Sequence, residues 1–123
     1  MSSAAPGIYR FGEFELEAGE RRLRRGGEPV ALTPKAFDLL VLLVEHEGRV
    51  ISKDELMHAL WPRSIVIESN LTKHVWMVRR ALGEADGGGR YIQTVSKLGY
   101  RFAAPVTKGS AKGVGKAERP ESV

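Results

Sequence analysis

Catalysis needs an activated nucleophile, a general base or a bound cofactor, and the residue types for these are absent or scattered in this chain. Cysteine does not occur among the 123 residues, which excludes a thiol nucleophile, a cysteine zinc site and a disulfide framework. There is no Gly-rich phosphate loop, no nucleophile elbow and no HExxH pattern. Asp54-Glu55 is a carboxylate pair, but it sits in Ser52-Lys53-Asp54-Glu55. That spacing is a capping box, in which the serine and glutamate satisfy the free donors at a helix start. His46, His58 and His74 fall on separate helical stretches, so none has a second ligand at metal spacing and no metal or other cofactor is expected.

The chemistry that remains is that of binding, and it concentrates in Ser69 to Leu82. On a wheel of about 100° per residue, Leu71, Val75, Val78 and Leu82 fall together as a core stripe. Ser69, Lys73, Trp76, Met77 and Arg80 fall on the far side. Thr72 and Arg79 flank one edge, His74 and Ala81 the other. A solvated face rarely carries Trp beside Met, because both would expose apolar area. Either this face enters a partner, and a DNA major groove admits one helix, or Trp76 and Met77 pack on a sheet or another subunit. Charge leans toward a polyanion. The net +4 is distributed as −2 over residues 1–68, +4 over 69–106 and +2 over 107–123. A local basic face is the electrostatic footprint of such a partner.

The elements that must position this face follow from turn and cap signals. Four short strands with tight turns are expected between Tyr9 and Leu32: one to Phe11, Phe14-Glu15-Leu16-Glu17 with period two, Arg21–Arg24 and Pro29–Leu32. Thr33-Pro34 caps and opens a first helix that is apolar almost all round and stops near Glu47-Gly48. A second helix runs from the Ser52 cap to about Trp61, with Leu56, Ala59 and Leu60 inward. Ser69 is the candidate cap of the third. Ala85–Gly89 reads as a flexible turn. Tyr91–Val95 and Tyr100–Ala103 form a hairpin in which Gly99 is free to take positive φ. Residues 1–7 read as a disordered N-terminus, 8–106 as one domain and 107–123 as a flexible linker or tail. The start MSSAAPG lacks the features of a signal peptide, and no apolar run reaches the ~18 residues of a membrane span.

Sheet, helix, helix, basic helix, hairpin is the order of a winged helix-turn-helix. Three motifs make the resemblance specific. LTPKAFDLLVLLVEHEGRVISKDELMHALWP and ESNLTKHVWMVRRALGE resemble the core of the OmpR/PhoB-type DNA-binding domain, and YIQTVSKLGYRF is similar to its wing. The likeness spans Tyr9 to Pro105 and is nearest the ToxR/CadC-like branch of transcriptional regulators. It implies an α+β fold with an N-terminal four-stranded antiparallel sheet, three helices and a C-terminal β-hairpin wing. It also implies sequence-specific binding of double-stranded DNA by a bacterial regulator, the third helix in the major groove and the wing at the minor groove. The other reading of Trp76 and Met77, as anchors of a winged-helix protein-interaction module, stays open beside it.

By position, the resemblance assigns base reading to Thr72, Lys73, Trp76, Met77 and Arg80. Phosphate contacts fall to Trp61, Ser69, Asn70, His74, Arg79, Thr94 and Tyr100, with Arg79 equally suited to a structural role. Minor-groove contact falls to Ser96 and Lys97 in the wing. Related domains often have arginines where this chain has Trp76 and Met77. Arginine reads guanine bidentately, whereas apolar side chains touch thymine methyls or read shape. The likeness further implies an RNA polymerase contact through loop 63–68, further domains in a full-length regulator, a dimer on DNA, and a cytoplasmic place or the cytoplasmic part of a membrane-anchored regulator.

Overall fold

The computed structural model describes residues 7–84 and 90–110. In chain order the elements are β1 (Gly7–Phe11), β2 (Phe14–Glu17), β3 (Arg22–Arg25), β4 (Glu28–Pro29), α1 (Pro34–Glu45), β5 (Ile51–Ser52), α2 (Lys53–Leu60), α3 (Glu68–Ala81), β6 (Ile92–Val95), β7 (Gly99–Phe102) and β8 (Thr107–Ser110). They divide into two compact units, one of residues 7–30 with 105–110 and one of residues 31–84 with 90–104. The expected turn Ala85–Gly89, residues 1–6 of the expected N-terminal tail and residues 111–123 of the expected linker lie outside the described residues.

The first unit is an antiparallel sheet in the order β4-β3-β2-β1-β8. Period-two alternation sets its faces: Phe14 and Leu16 are buried while Glu15 and Glu17 are not. The register aligns Tyr9 with Leu16 and Leu16 with Leu23, an apolar row across three strands. The sheet corrects the sequence reading in four places. It has five strands, since Thr107–Ser110, expected as linker, pairs with β1. Ladder bonds are made by the backbone, so Thr-Lys-Gly-Ser can complete an edge with no hydrophobic pattern to announce it. Gly7, expected in the disordered tail, belongs to β1. Expected within the third strand, Arg21 instead takes φ 54 in the preceding turn. The fourth strand covers only Glu28–Pro29, not Pro29–Leu32.

The second unit packs α1 against α2 and α3. Six residues of α1 are buried, Ala36, Phe37, Leu39, Leu40, Leu43 and Val44, which is why its sequence is apolar almost all round. Thr33 Oγ1 accepts from the Ala36 N–H at 3.3 Å and Pro34 occupies the first turn. Ser52 Oγ accepts from the Glu55 N–H at 3.0 Å. The Glu55 carboxylate is engaged by Arg49 Nη2 at 2.6 Å, so the serine half of the capping box is the half with a cap bond. Leu56 and Leu60 are buried in α2, but Ala59 is exposed, against expectation. On the helix wheel Ala59 falls about 100° from Leu60, on the solvent side of α2. Ser69 is not the cap of α3 either. Its N-cap is Ile67, with no side-chain cap bond, and the helix begins at Glu68. It ends at Ala81, and α1 ends at Glu45, each a residue or two early.

The hairpin gains a third strand, with order β5-β7-β6. Here the reading of Gly99 is corrected. The turn residue with positive φ is Lys97, at 65°. Gly99 is fixed by close approach: opposite Ser52 in the ladder, a β-carbon on it would collide with the Ile51 carbonyl and stand 2.9 Å from Ser52 Cα. A side chain there pushes β7 off β5. Gly99→Ala is therefore expected to lower unfolding free energy by about 1–3 kcal/mol, as overpacking does, measured by urea denaturation. An unchanged midpoint would show that β5 yields without cost.

Candidate nucleic-acid interface

The outward face of α3 is built by what its inward face buries. Leu71, Val75, Val78 and Leu82 are each at most 2% exposed. The opposite positions are then turned to solvent: Ser69, Thr72, Lys73 and Arg80 are exposed, Trp76 is 50% exposed, and Met77 is half-buried. Beside Trp76 opens a groove of about 530 Å³ lined by Ala31, Leu32, Thr33, Met77, Arg80 and Ala81. The Arg80 guanidinium carbon lies 5.3 Å from the Trp76 ring centroid, one helical turn away. Thus the five expected base-reading residues, Thr72, Lys73, Trp76, Met77 and Arg80, share one face.

The expected phosphate contacts separate into surface groups and scaffold. Trp61, the C-cap of α2, is half-buried and meets the His74 ring edge-on at 5.3 Å. Asn70 and His74 are half-buried neighbours on α3, and His74 Nδ1 donates to the Asn70 carbonyl at 2.7 Å. His46 and His58 bond the carbonyls of Leu42 and Asp54 in the same i−4 manner. Among the described residues there is no cluster of three metal-binding side chains. Arg79 is scaffold. Its Nη2 donates to the Ile92 carbonyl at 2.9 Å and to Thr94 Oγ1 at 2.8 Å, tying α3 to β6. Thr94 is therefore held as Arg79's acceptor, with its side chain at the surface. Tyr100 is 5% exposed. It lies under the face, where the ladder to Ile51 has drawn it, with little area left for a phosphate contact.

Three residues that position the site escaped the sequence reading. Lys35 Nζ donates to the Leu60 carbonyl at 2.6 Å and lies 5.7 Å from the Trp61 ring centroid, satisfying the C-terminal end of α2. Lys53 donates its backbone N–H to the Leu98 carbonyl at 3.2 Å and its Nζ to Glu68 Oε2 at 2.7 Å. One residue thus joins α2, the wing turn and the first turn of α3. The side-chain hydrogen bond to Glu68 raises the Lys53 pKa, with partial burial opposing it and Coulomb attraction to Glu68 and Tyr100 assisting. Since the folded-state value is the higher one, this contribution is complete at neutral pH and is lost as pH rises through it. Buried Glu84 accepts from the Tyr91 N–H at 2.9 Å and the Ile92 N–H at 3.2 Å, fixing the start of β6. These bonds join residues 7 to 45 positions apart, which no local pattern encodes.

The cations divide accordingly. In the five-stranded sheet Arg10 pairs with Glu15, Arg22 and Arg24 with Glu17, and Arg25 with Glu13. Arg49 and Lys53 pair with Glu55 and Glu68, and Arg101 donates to Gln93. Lys73 and Arg80 on α3, and Lys97 in the wing turn, are exposed and have no ion pair among the described residues. An uncompensated cation next to exposed backbone and hydroxyl donors is what attracts phosphate.

The family described as "Transcriptional regulatory protein, C terminal" matches residues 27–102. The chain is 36% identical over 100 residues to the transcriptional activator CadC of Escherichia coli, covering 80% of this chain and 20% of that protein. The solved DNA-binding domain of E. coli CadC superposes with a TM-score of 0.72 at 35% identity, covering 84% of this chain and 97% of that one. The DNA-binding domain of Klebsiella pneumoniae RstA, solved in complex with the RstA box, gives 0.69 at 26% identity over 78% of this chain and 96% of that one. The chain spans about a fifth of the length of the curated relatives it matches.

The Arg79 geometry makes a prediction that separates scaffold from contact. Hydrogen bonds from a charged donor are each worth about 1.5–3 kcal/mol, so Arg79→Ala is expected to lower the melting temperature clearly. If Arg79 served only to contact phosphate, the melting curve would be unmoved.

Proposed function

Since this chain belongs to the transcriptional regulatory protein C-terminal family, the OmpR/PhoB-type winged helix-turn-helix in its ToxR/CadC-like branch, we propose that it binds duplex DNA sequence-specifically, with α3 in the major groove and the wing turn at the minor groove. The observation that carries this reading is the outward α3 face. It presents Thr72, Lys73, Trp76, Met77 and Arg80 together, with cations that no carboxylate of the described residues neutralises. The major groove is wide enough to admit one helix, whose outward side chains then face base edges.

Around that face, Trp61, Ser69, Asn70, His74 and Thr94 would meet the phosphates, and Ser96 and Lys97 the minor-groove edge. Arg79 and Tyr100 serve from beneath as support. The role is non-enzymatic, and the binding module runs from Gly7 to Ser110. In a longer regulator it would act in the cytoplasm, free or at the membrane, and would bind as a dimer on paired half-sites. No helix among the described residues is long and apolar enough to cross a membrane.

Loop 63–68 carries the second half of the proposal. Ile65 is 104% and Ile67 70% exposed, an apolar pair that costs free energy in water unless something covers it. We propose RNA polymerase as that partner when the module sits on its operator.

Two outcomes test these readings. The logarithm of duplex affinity should fall linearly with the logarithm of salt, and Lys97→Ala should reduce the slope by about one unit, measured by fluorescence anisotropy. Affinity indifferent to salt would refute duplex binding, and an unchanged slope would take the wing turn off the DNA. Ile65→Ser should leave duplex affinity within about twofold, since a surface change away from the contacts costs little, while lowering polymerase retention on operator DNA in a gel-shift assay. Loss of DNA affinity instead would make the loop part of the scaffold.

A further inference from the structure

Arg79 and Arg80 are adjacent, yet the fold treats them differently. Arg79 commits its Nη2 to Ile92 and Thr94, while its buried Nε has no hydrogen-bond partner. Arg80 is exposed, and its guanidinium has no hydrogen bond or carboxylate among the described residues. Its one neighbour of note is the Trp76 indole, with the guanidinium carbon 5.3 Å from the ring centroid. Trp76 is itself steadied, being half covered and standing beside Met77 and the Ala31–Thr33 segment that line the groove. A guanidinium over an aromatic face keeps its N–H donors in its own plane unspent and loses rotational freedom.

We infer that Trp76 is a positioning residue for Arg80: the indole is a platform that holds the guanidinium edge-out toward the groove, so that the pair reads one guanine as a unit. This rests on the reading that the outward α3 face enters the major groove. It goes beyond it by assigning the two side chains one joint role. Arginine with both donors on guanine O6 and N7 is the commonest specific base contact in the major groove. A guanidinium swinging freely on four methylene-like torsions would pay for that contact in entropy, and the ring removes part of that cost before binding.

The test uses the whole chain and a duplex enriched by the wild-type chain from a randomised pool, with every single base-pair variant of that duplex. Arg80→Ala is expected to lose roughly tenfold discrimination at one G·C pair. Trp76→Leu, which keeps apolar bulk without a ring face, should lose discrimination at that same pair. The double variant should lose no more than Arg80→Ala alone, and Trp76→Phe should retain most of it. Additive losses, or discrimination preserved in Trp76→Leu, would overturn the platform and leave Trp76 acting on its own. Should Trp76→Leu fold poorly, Arg80→Lys decides: charge without a planar fork should keep the salt slope and lose the guanine preference, and retained preference refutes the inference. If the wild-type chain enriches no sequence at all, it is DNA recognition that fails, and the platform falls with it.

Discussion

The outward chemistry of α3 depends on the stripe the helix hides. Leu71, Val75, Val78 and Leu82 must leave water against α1 and its neighbours, and each such side chain is worth roughly 1.5–3 kcal/mol when fully buried. Helical geometry then leaves no choice about the other side. With about 100° between residues, burying these four turns Lys73, Trp76 and Arg80 outward. A one-residue slip would bury Thr72 and expose Leu71, so the face offered to a partner is specified with the strength of the core.

Around that helix the structure spends most of its charge internally. Glutamates neutralise the sheet arginines, Glu68 holds Lys53, and Arg79 goes to backbone and hydroxyl acceptors. This makes the distribution of charge more informative than its total. The net +4 of the chain is modest, but the cations that remain unpaired among the described residues include Lys73, Arg80 and Lys97, at α3 and the wing turn. Lys53 keeps those two sites in register by bonding Leu98 with its backbone and Glu68 with its side chain.

What the sequence disclosed and what it withheld follow from the range of each interaction. The α3 stripe, the Thr33 and Ser52 caps and the exposure of Trp76 were readable because each is decided within a turn or two of helix. The signals that misled were local ones overridden from afar. Gly99 resembles a turn glycine, yet it is needed because Ser52 lies against it in the ladder, and Lys97 takes the positive φ. Ser69 has the chemistry of a cap, but the chain enters α3 at Ile67 and leaves the serine inside the first turn. Strand β8 carries no side-chain pattern, because its pairing with β1 is a backbone matter. The links that assemble the site, Lys35 to Leu60, Lys53 to Glu68 and Arg79 to Ile92, join residues 25, 15 and 13 apart. Composition and periodicity cannot see them.

The central claim is that one face of α3 and the wing turn, and not the five-stranded sheet, meet DNA. Mapping amide chemical shifts of the labelled chain by NMR while titrating its selected duplex tests this most directly. The largest changes are expected at Thr72, Lys73, Trp76, Met77, Arg80 and Lys97, with Tyr9, Leu16 and Leu23 of the sheet unmoved. Changes concentrated on the sheet strands, with the α3 amides still, would contradict the account.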